Sequence, residues 1–461
     1  MTKIIKEICL IFIVFYFIAS ELYNKMTKII KEICFIFNVF FIIASELIMY
    51  NIFKDYSKFI DQITRRLASS NMLYVKIFQA FSLNNNLIDC TINDRLLQFT
   101  DNVPWSYNDF DLSDIIEIID KYNLYLKFGY EIPINSGMIS LVFKVYEKET
   151  NKPMIIKIKR KNIDITINDG IEKLKTFMYI LSFIPLIHKY QLSEIVNKNI
   201  EIIKNQTNFL EEVENMNKMK DNCKNLKYIK IPLANKAVTK VYPNIILMEC
   251  IDGIKIKQIK QEDYEGFAKQ ILKFGFVTTI IHGLVHGDLH GGNILFIKDN
   301  NDNKYPYKIG VIDFGIIYKI EPKYKDLLFD ILTQFFYTPS RETAIKLLNS
   351  GIIDPPGILE KISKAHYESI IKITSEIIEE TINNSKKANQ AQIYKFISNL
   401  KDYLNNSEIA DIGIRPSNNF IKSQLVLAMA HGTTLTLCND DFISLADKVI
   451  NELFHTNMMI E

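Results

Sequence analysis

The sequence predicts an α+β protein with a small β-rich lobe, a larger and mainly helical C-terminal lobe, and a helical extension ahead of both. Three observations carry that expectation. Two β-rich runs, Ile139–Tyr146 and Met154–Lys159, are joined by the turn-forming Lys148-Glu149-Thr150-Asn151-Lys152-Pro153, and a third apolar strand, Ile245–Cys250, ends at Asp252-Gly253. Apolar residues recur at three- and four-residue steps on either side of these strands, as in Phe53, Phe59, Ile60, Ile63 and Leu67. Two short polar runs, Val285–Phe296 and Val311–Gly315, are flanked by apolar residues, which places both at strand ends inside a fold.

Taken in order, residues 1–50 are a duplicated apolar segment. Residues 1–25 and 26–50 are near copies, each with lysines followed by an apolar run, Ile8–Ala19 and Ile33–Ala44. Such a run spans about 18 Å as a helix, short of a hydrocarbon core of about 30 Å. A membrane-dipping anchor and a recent tandem duplication with Met26 as an equally good start are both compatible with it. Localisation is therefore expected to be membrane-associated or cytoplasmic.

Residues 51–126 read as the helical extension, with Ser113 a fitting N-cap for a short helix over Ser113–Lys121. Strand character is expected from near Tyr130. Residues 127–252 read as the β-rich lobe with a helical insert over Ile171–Met219, and residues 253–461 as the helical lobe. The stretch Asp299–Asn303 reads as a polar turn between two short strands. With 55 basic and 53 acidic residues, the net charge of +2 offers no electrostatic footprint for nucleic acid. The six cysteines are far apart and show no metal-ligand spacing.

The chemistry lies in the two polar runs. Val-His-Gly-Asp-Leu-His-Gly-Gly-Asn places Asp288 five residues before Asn293, and Val-Ile-Asp-Phe-Gly places Asp313 further on. Phosphoryl transfer uses these residue types in this order. A carboxylate such as Asp288 orients or deprotonates the attacking hydroxyl, and an Asn–Asp pair such as Asn293 and Asp313 holds Mg²⁺ against nucleotide phosphates.

The remaining roles have candidates. A strand lysine for the phosphates is available in Met-Ile-Ile-Lys-Ile-Lys, where Lys157 competes with Lys159 on the same face. A helix glutamate to hold it is available among Glu211, Glu212 and Glu214, with position favouring Glu212. The loop before the first strand offers Ser136 and Gly137, whose backbone N–H groups could approach phosphate oxygens. Adenine is expected after the third strand, with Glu249 and the Cys250 backbone as hydrogen-bonding groups. Met248 either limits the pocket or simply fills the core.

This constellation resembles the UbiB family of atypical kinase-like proteins (aarF-domain kinases). The family's His-x-Asp-x-His-x-Gly-Asn is matched by His286, Asp288, His290, Gly292 and Asn293. Its Val-Ala-Val-Lys-Val-Gln-Arg matches Met154–Arg160 and selects Lys157. Its Glu-Ala-x-Asn matches Glu212–Asn215, its alanine-rich phosphate loop falls on Pro133–Val142, and its Met-Glu-Tyr-Ile-Asp-Gly resembles Met248–Gly253. A long helical insert between lysine and glutamate is a family trait, and 55 residues separate them here.

The resemblance implies a bilobal protein-kinase-like fold, ATP and Mg²⁺ as cofactors, a small-molecule or lipid acceptor, and a link to membrane lipid or quinone metabolism. It also singles out Lys76 and Gln79 in an N-terminal Lys-x-Gly-Gln element, where Phe78 replaces the glycine. Its Glu-x-Asp pair falls on Gln206 and Asn208, so both carboxylates are lost. Two other readings share the motifs. One is a small-molecule phosphotransferase of the aminoglycoside or choline kinase kind, against which the long insert argues. The other is a non-catalytic nucleotide-binding scaffold.

Overall fold

The computed structural model describes residues 103–127, 132–181, 203–322 and 338–388 continuously, with shorter pieces at positions within 41–74, 197–200, 325–326 and 399–453. Lys76, Gln79 and most of the duplicated N-terminal segment lie outside the described residues. The chain forms two compact units. One joins residues 1–105 to residues 160–204, and the other joins residues 106–159 to residues 205–461.

The first unit contains a 19-residue helix, Ile163–Leu181. Ile163, Ile167, Ile171 and Leu174 repeat at three- and four-residue steps and are all buried, the apolar stripe that lets a helix dock. Gly170 is needed there. A Cβ on it would stand 2.6 Å from Asn71 Nδ2, whose amide donates to the Thr166 carbonyl at 3.0 Å.

The second unit begins with helix α1, Leu112–Lys121, and an antiparallel sheet. The sheet's strands are β1 (Leu124–Tyr125), β2 (Asn135–Ser136), β3 (Ser140–Glu147), β4 (Pro153–Lys159) and β6 (Ile245–Glu249), in the order β1-β3-β4-β6 with β2 paired to β3. The expected strands and their turn are present. Two expectations are corrected. Strand structure begins at Leu124, ahead of Tyr130. Helix α1 is flanked by Asp111 as N-cap, not Ser113. The 3-10 turn Tyr107–Asp109 sits immediately ahead, and starting the helix at Leu112 sets Ile115 and Ile118 as its buried residues.

Helix α2 of this unit, Phe209–Asn222, follows the insert. Strand β5 (Ile229–Lys230) then pairs in parallel with β9 (Tyr307–Val311), which pairs antiparallel with β8 (Ile294–Lys298). Helix α3, Tyr264–Phe276, runs into a π-helical turn, Val277–His282, that Gly283 ends at φ +59°, a conformation glycine adopts without strain. Strand β7 (Leu284–His286) pairs with β10 (Ile317–Lys319).

One buried core spans both lobes of this unit. Ile155 from the sheet and Val213 and Met216 from α2 pack in the same cluster as Phe267, Phe296, Val311 and Phe314. Packing this dense transmits position, so the sheet and the loops below it are held in one frame. A second core joins Leu347 and Leu348 of a helix over Ser340–Asn349 to Ile370, Ile371 and Ile378 of a helix over Lys364–Ala388. The C-terminal segment, expected to be helical with breaks at Thr338-Pro339, Asp354-Pro355-Pro356-Gly357 and Arg415-Pro416, contains at two of those breaks a short antiparallel pairing of Ile353–Asp354 with Arg415–Pro416.

Candidate active site

Lys157 sits in the middle of β4, opposite Val142 of β3 and Ile246 of β6. Its side chain is buried although strand alternation sets it apart from Ile156 and Ile158, because α2 lies over that face with the Phe209 ring 5.5 Å from Nζ. Nζ donates to Glu212 Oε1 at 2.6 Å and to Asp313 Oδ2 at 2.9 Å. The glutamate cluster of α2 resolves the same way. Glu211 is exposed and Glu214 pairs with surface Lys236, whereas Glu212 is 1% exposed.

Burial raises the Glu212 carboxyl to about 7 against the pull of the Lys157 ammonium. Burial alone would lower the pKa of Lys157, but Asp313 and Glu212 outweigh it and hold the amine charged. Burial also works against ionisation of Asp313, yet Lys157 and the Gly315 N–H, which donates to Oδ1 at 3.0 Å, keep it below the usual carboxylate range.

The two loops are brought together by β8 and β9. Ile294 stands opposite Val311, so the residues just outside that pair, Asn293 and Ile312 with Asp313 after it, meet at the same end of the hairpin. The Ile312 N–H donates to the Asn293 carbonyl at 3.2 Å, and Asn293 Nδ2 donates to the Asp288 carbonyl at 2.9 Å. His290 accepts from the Gly292 N–H through Nδ1 and points Nε2 at Asp288 Oδ2, 3.6 Å away.

His286 is a brace whose role the motif alone did not disclose. Its Nδ1 accepts from the Asp288 N–H at 3.2 Å, and its Nε2 contacts the Asp313 carbonyl, so one neutral ring ties the Asp288 loop to the Asp313 loop. Burial lowers its pKa and favours that neutral form. Phe314 packs edge-on against the same ring and is fully buried.

An ionised Asp313 beside Asn293 fits Mg²⁺, which takes few protein ligands and leaves positions for phosphate oxygens and water. Among the described residues no larger group of acidic, histidine and cysteine side chains could hold a metal.

The groups expected at the phosphates and at adenine have partners within the fold. The Ser136 N–H donates to Asn135 Oδ1 at 2.8 Å and the Gly137 N–H to the Ser140 carbonyl at 2.9 Å, so the amides expected to face phosphate are used inside the loop. At the hinge, the Glu249 N–H donates to the Leu233 carbonyl and its carboxylate accepts from the Leu233 N–H, Lys220 and Lys152. Cys250 is half-buried beside it, and Met248 is 5% exposed in the shared core.

The sites of the lost Glu-x-Asp pair are also placed. Gln206 packs beside Gly315, with its Cγ 3.5 Å from where a Cβ there would stand. Asn208 caps α2, its side chain accepting from the Glu211 N–H at 3.2 Å.

Residues 119–347, which include Lys157, Glu212, Asp288, Asn293 and Asp313, match the family described as the ABC1 atypical kinase-like domain. This chain carries an ABC1 atypical kinase-like domain. The fold is therefore kinase-like as well as α+β, as expected, and the resemblance to the UbiB family is borne out. The chain is 27% identical over 299 residues to the "Probable protein kinase UbiB" of Blochmanniella pennsylvanica, covering 61% of this chain and 52% of that one. It is also 27% identical over 331 residues to the "Uncharacterized protein in hydrogenase 1 5'region" of Clostridium pasteurianum, covering 68% and 57%. The chain thus spans about half the length of the UbiB relatives it matches. Among solved structures, it is similar to the complex of Rv3197 with erythromycin from Mycobacterium tuberculosis, with a TM-score of 0.45, 14% identity, and coverage of 81% of this chain and 90% of that one.

Proposed function

We propose that this ABC1-type domain binds Mg·ATP and transfers or hydrolyses its terminal phosphate. The observation that carries the reading is the shared lysine. A single buried Nζ lies within 3 Å of both the helix glutamate and the carboxylate of Asp-Phe-Gly, so the phosphate-positioning and metal-holding residues are one assembled cluster. In this reading Glu212 holds Lys157, and Lys157 exchanges Asp313 for phosphate oxygens when nucleotide binds. Asn293 and Asp313 would hold Mg²⁺, which supplies charge neutralisation for the phosphates. Asp288, fixed by His286 through its backbone and faced by His290, orients the hydroxyl or water and accepts its proton. Backbone groups around Glu249 and Cys250 would border the adenine.

Kinship with UbiB-type proteins extends the proposal to a small-molecule or lipid-bound acceptor at a membrane, within lipid or quinone metabolism. Among the described residues no helix is long and apolar enough to cross a membrane, so association through residues 1–50 is part of the proposal. Nucleotide turnover by the purified full chain, with and without lipid vesicles, tests the reading. Asp288→Asn is expected to retain Mg·ATP binding and lose turnover. Binding without any turnover by the unsubstituted chain, across vesicles and lipid extracts, would leave a nucleotide-binding scaffold in its place.

A further inference from the structure

Helix α2 is tied at both ends, and only one end is at the chemistry. Glu212 bonds Lys157 near its start, and Asn215 Nδ2 donates to the Phe314 carbonyl at 3.5 Å. Two turns after Glu212, Lys220 donates to the Ile231 carbonyl at 2.7 Å and to Glu249 Oε2 at 3.0 Å. Between them the Asn217 amide pairs both ways with the Ala234 backbone, each bond 3.1 Å. Glu249 ends β6, the strand that pairs with β4 at Lys157. The ties therefore close a ring: Lys157, Glu212, α2, Lys220, Glu249, β6 and back to Lys157.

An ordinary surface ion pair would not do this, because two long side chains in water hold one geometry weakly. Here each partner has a second anchor. Glu249 Oε2 also accepts from the Leu233 N–H at 2.9 Å, and Lys220 also bonds a backbone carbonyl, so neither head group moves without breaking a main-chain bond. Kinases commonly control activity by moving the helix that carries the glutamate.

We infer that Glu249 and Lys220 are positioning residues that latch the far end of α2 to the sheet, so that the Lys157–Glu212 pair stays assembled without nucleotide. The inference rests on the proposed role of Lys157 at the phosphates. Its consequence is that control of this site lies elsewhere than in a swing of α2.

Hydrogen exchange on the nucleotide-free full chain tests the latch. Glu249→Ala is expected to speed exchange of the amides in Phe209–Asn222 about tenfold, with Tyr264–Phe276 unchanged. Glu249→Gln, whose amide oxygen still accepts from Leu233 and Lys220, should restore most of the protection. Acylation of Lys157 by an amine-reactive reagent, read by mass, should rise in Glu249→Ala and not in Glu249→Gln. Lys220→Met carries the same expectation and covers the case in which Glu249→Ala loosens the entire chain. Protection of α2 and Lys157 labelling equal to wild type in Lys220→Met would overturn the latch. Failure of the unsubstituted chain to bind Mg·ATP would instead count against the proposed function, since none of these readouts uses nucleotide.

Discussion

Two lysines of this molecule are each held by two carboxylates at nearly the same distances. Lys157 lies 2.6 Å from Glu212 and 2.9 Å from Asp313, and Lys308 lies 2.9 Å from Asp299 and 2.8 Å from Asp302. The lysines are similarly buried and Asp313 is 30% exposed, but the chain separations and the burial of Glu212 differ. The partners of Lys308 lie in the turn just before it, and their side chains are 37% and 31% exposed. The partners of Lys157 come from 55 and 156 residues away, and Glu212 is shut off from water. Distance therefore says little about what an ion pair does. Chain separation and burial decide whether it closes a local turn or assembles a site.

The largest expected effect comes from removing the buried cation. Lys157→Met leaves two carboxylates without their counter-charge and should cost about 3–5 kcal/mol in denaturant unfolding. Lys308→Met should leave the unfolding curve almost unchanged, since its carboxylates remain in water. Equal losses from the two substitutions would break the comparison.

A smaller effect separates metal chemistry from turn structure. Asp313→Ala should abolish the magnesium-dependent part of the thermal stabilisation by ATP, which for a wild-type chain at a hundred times Kd is about 2.7 kcal/mol. Asp302→Ala should leave it intact. A magnesium-dependent shift that survives in Asp313→Ala removes Asp313 from the metal site.

The smallest effect is on acidity. Burial holds the pKa of His286 below its ordinary value, so the unfolded chain takes up a proton before the folded chain does. The stability it contributes is full above about pH 6.5 and is lost as the pH falls toward the depressed value. The melting-temperature advantage of wild type over His286→Asn should therefore narrow between about pH 6.5 and 5. The difference between wild type and Lys308→Met should stay flat over that window, because Asp299 and Asp302 are held below the usual carboxylate range and stay ionised there. A flat His286 difference would mean that the ring is not held neutral.

What could be read in the chain follows the same division. The β3–β4 hairpin and the third strand were legible because alternation and turn residues are local. So were the Asp299–Asn303 turn and the motif loops, whose apolar flanks mark strand ends. The choice of Glu212 needed more, since Glu211 and Glu214 have the same chemistry and only packing against the sheet distinguishes them. Local rules failed at Ser113, because the 3-10 turn just ahead sets the register and puts Asp111, two residues earlier, at the N-cap position. At Ser136, Gly137 and Glu249 composition does not reveal the partners that each group has within the fold.

The sequence alone determined the α+β class, the order of strands and helices, and the residue types at Lys157, Asp288, Asn293 and Asp313, since these follow from patterns a few residues long. Tertiary structure alone decided that Lys157 is shared between Glu212 and Asp313, that His286 braces two loops, and that Glu249 serves α2. Those are contacts between distant segments. Which of several similar side chains makes them depends on what is buried opposite, and a linear pattern does not carry that information.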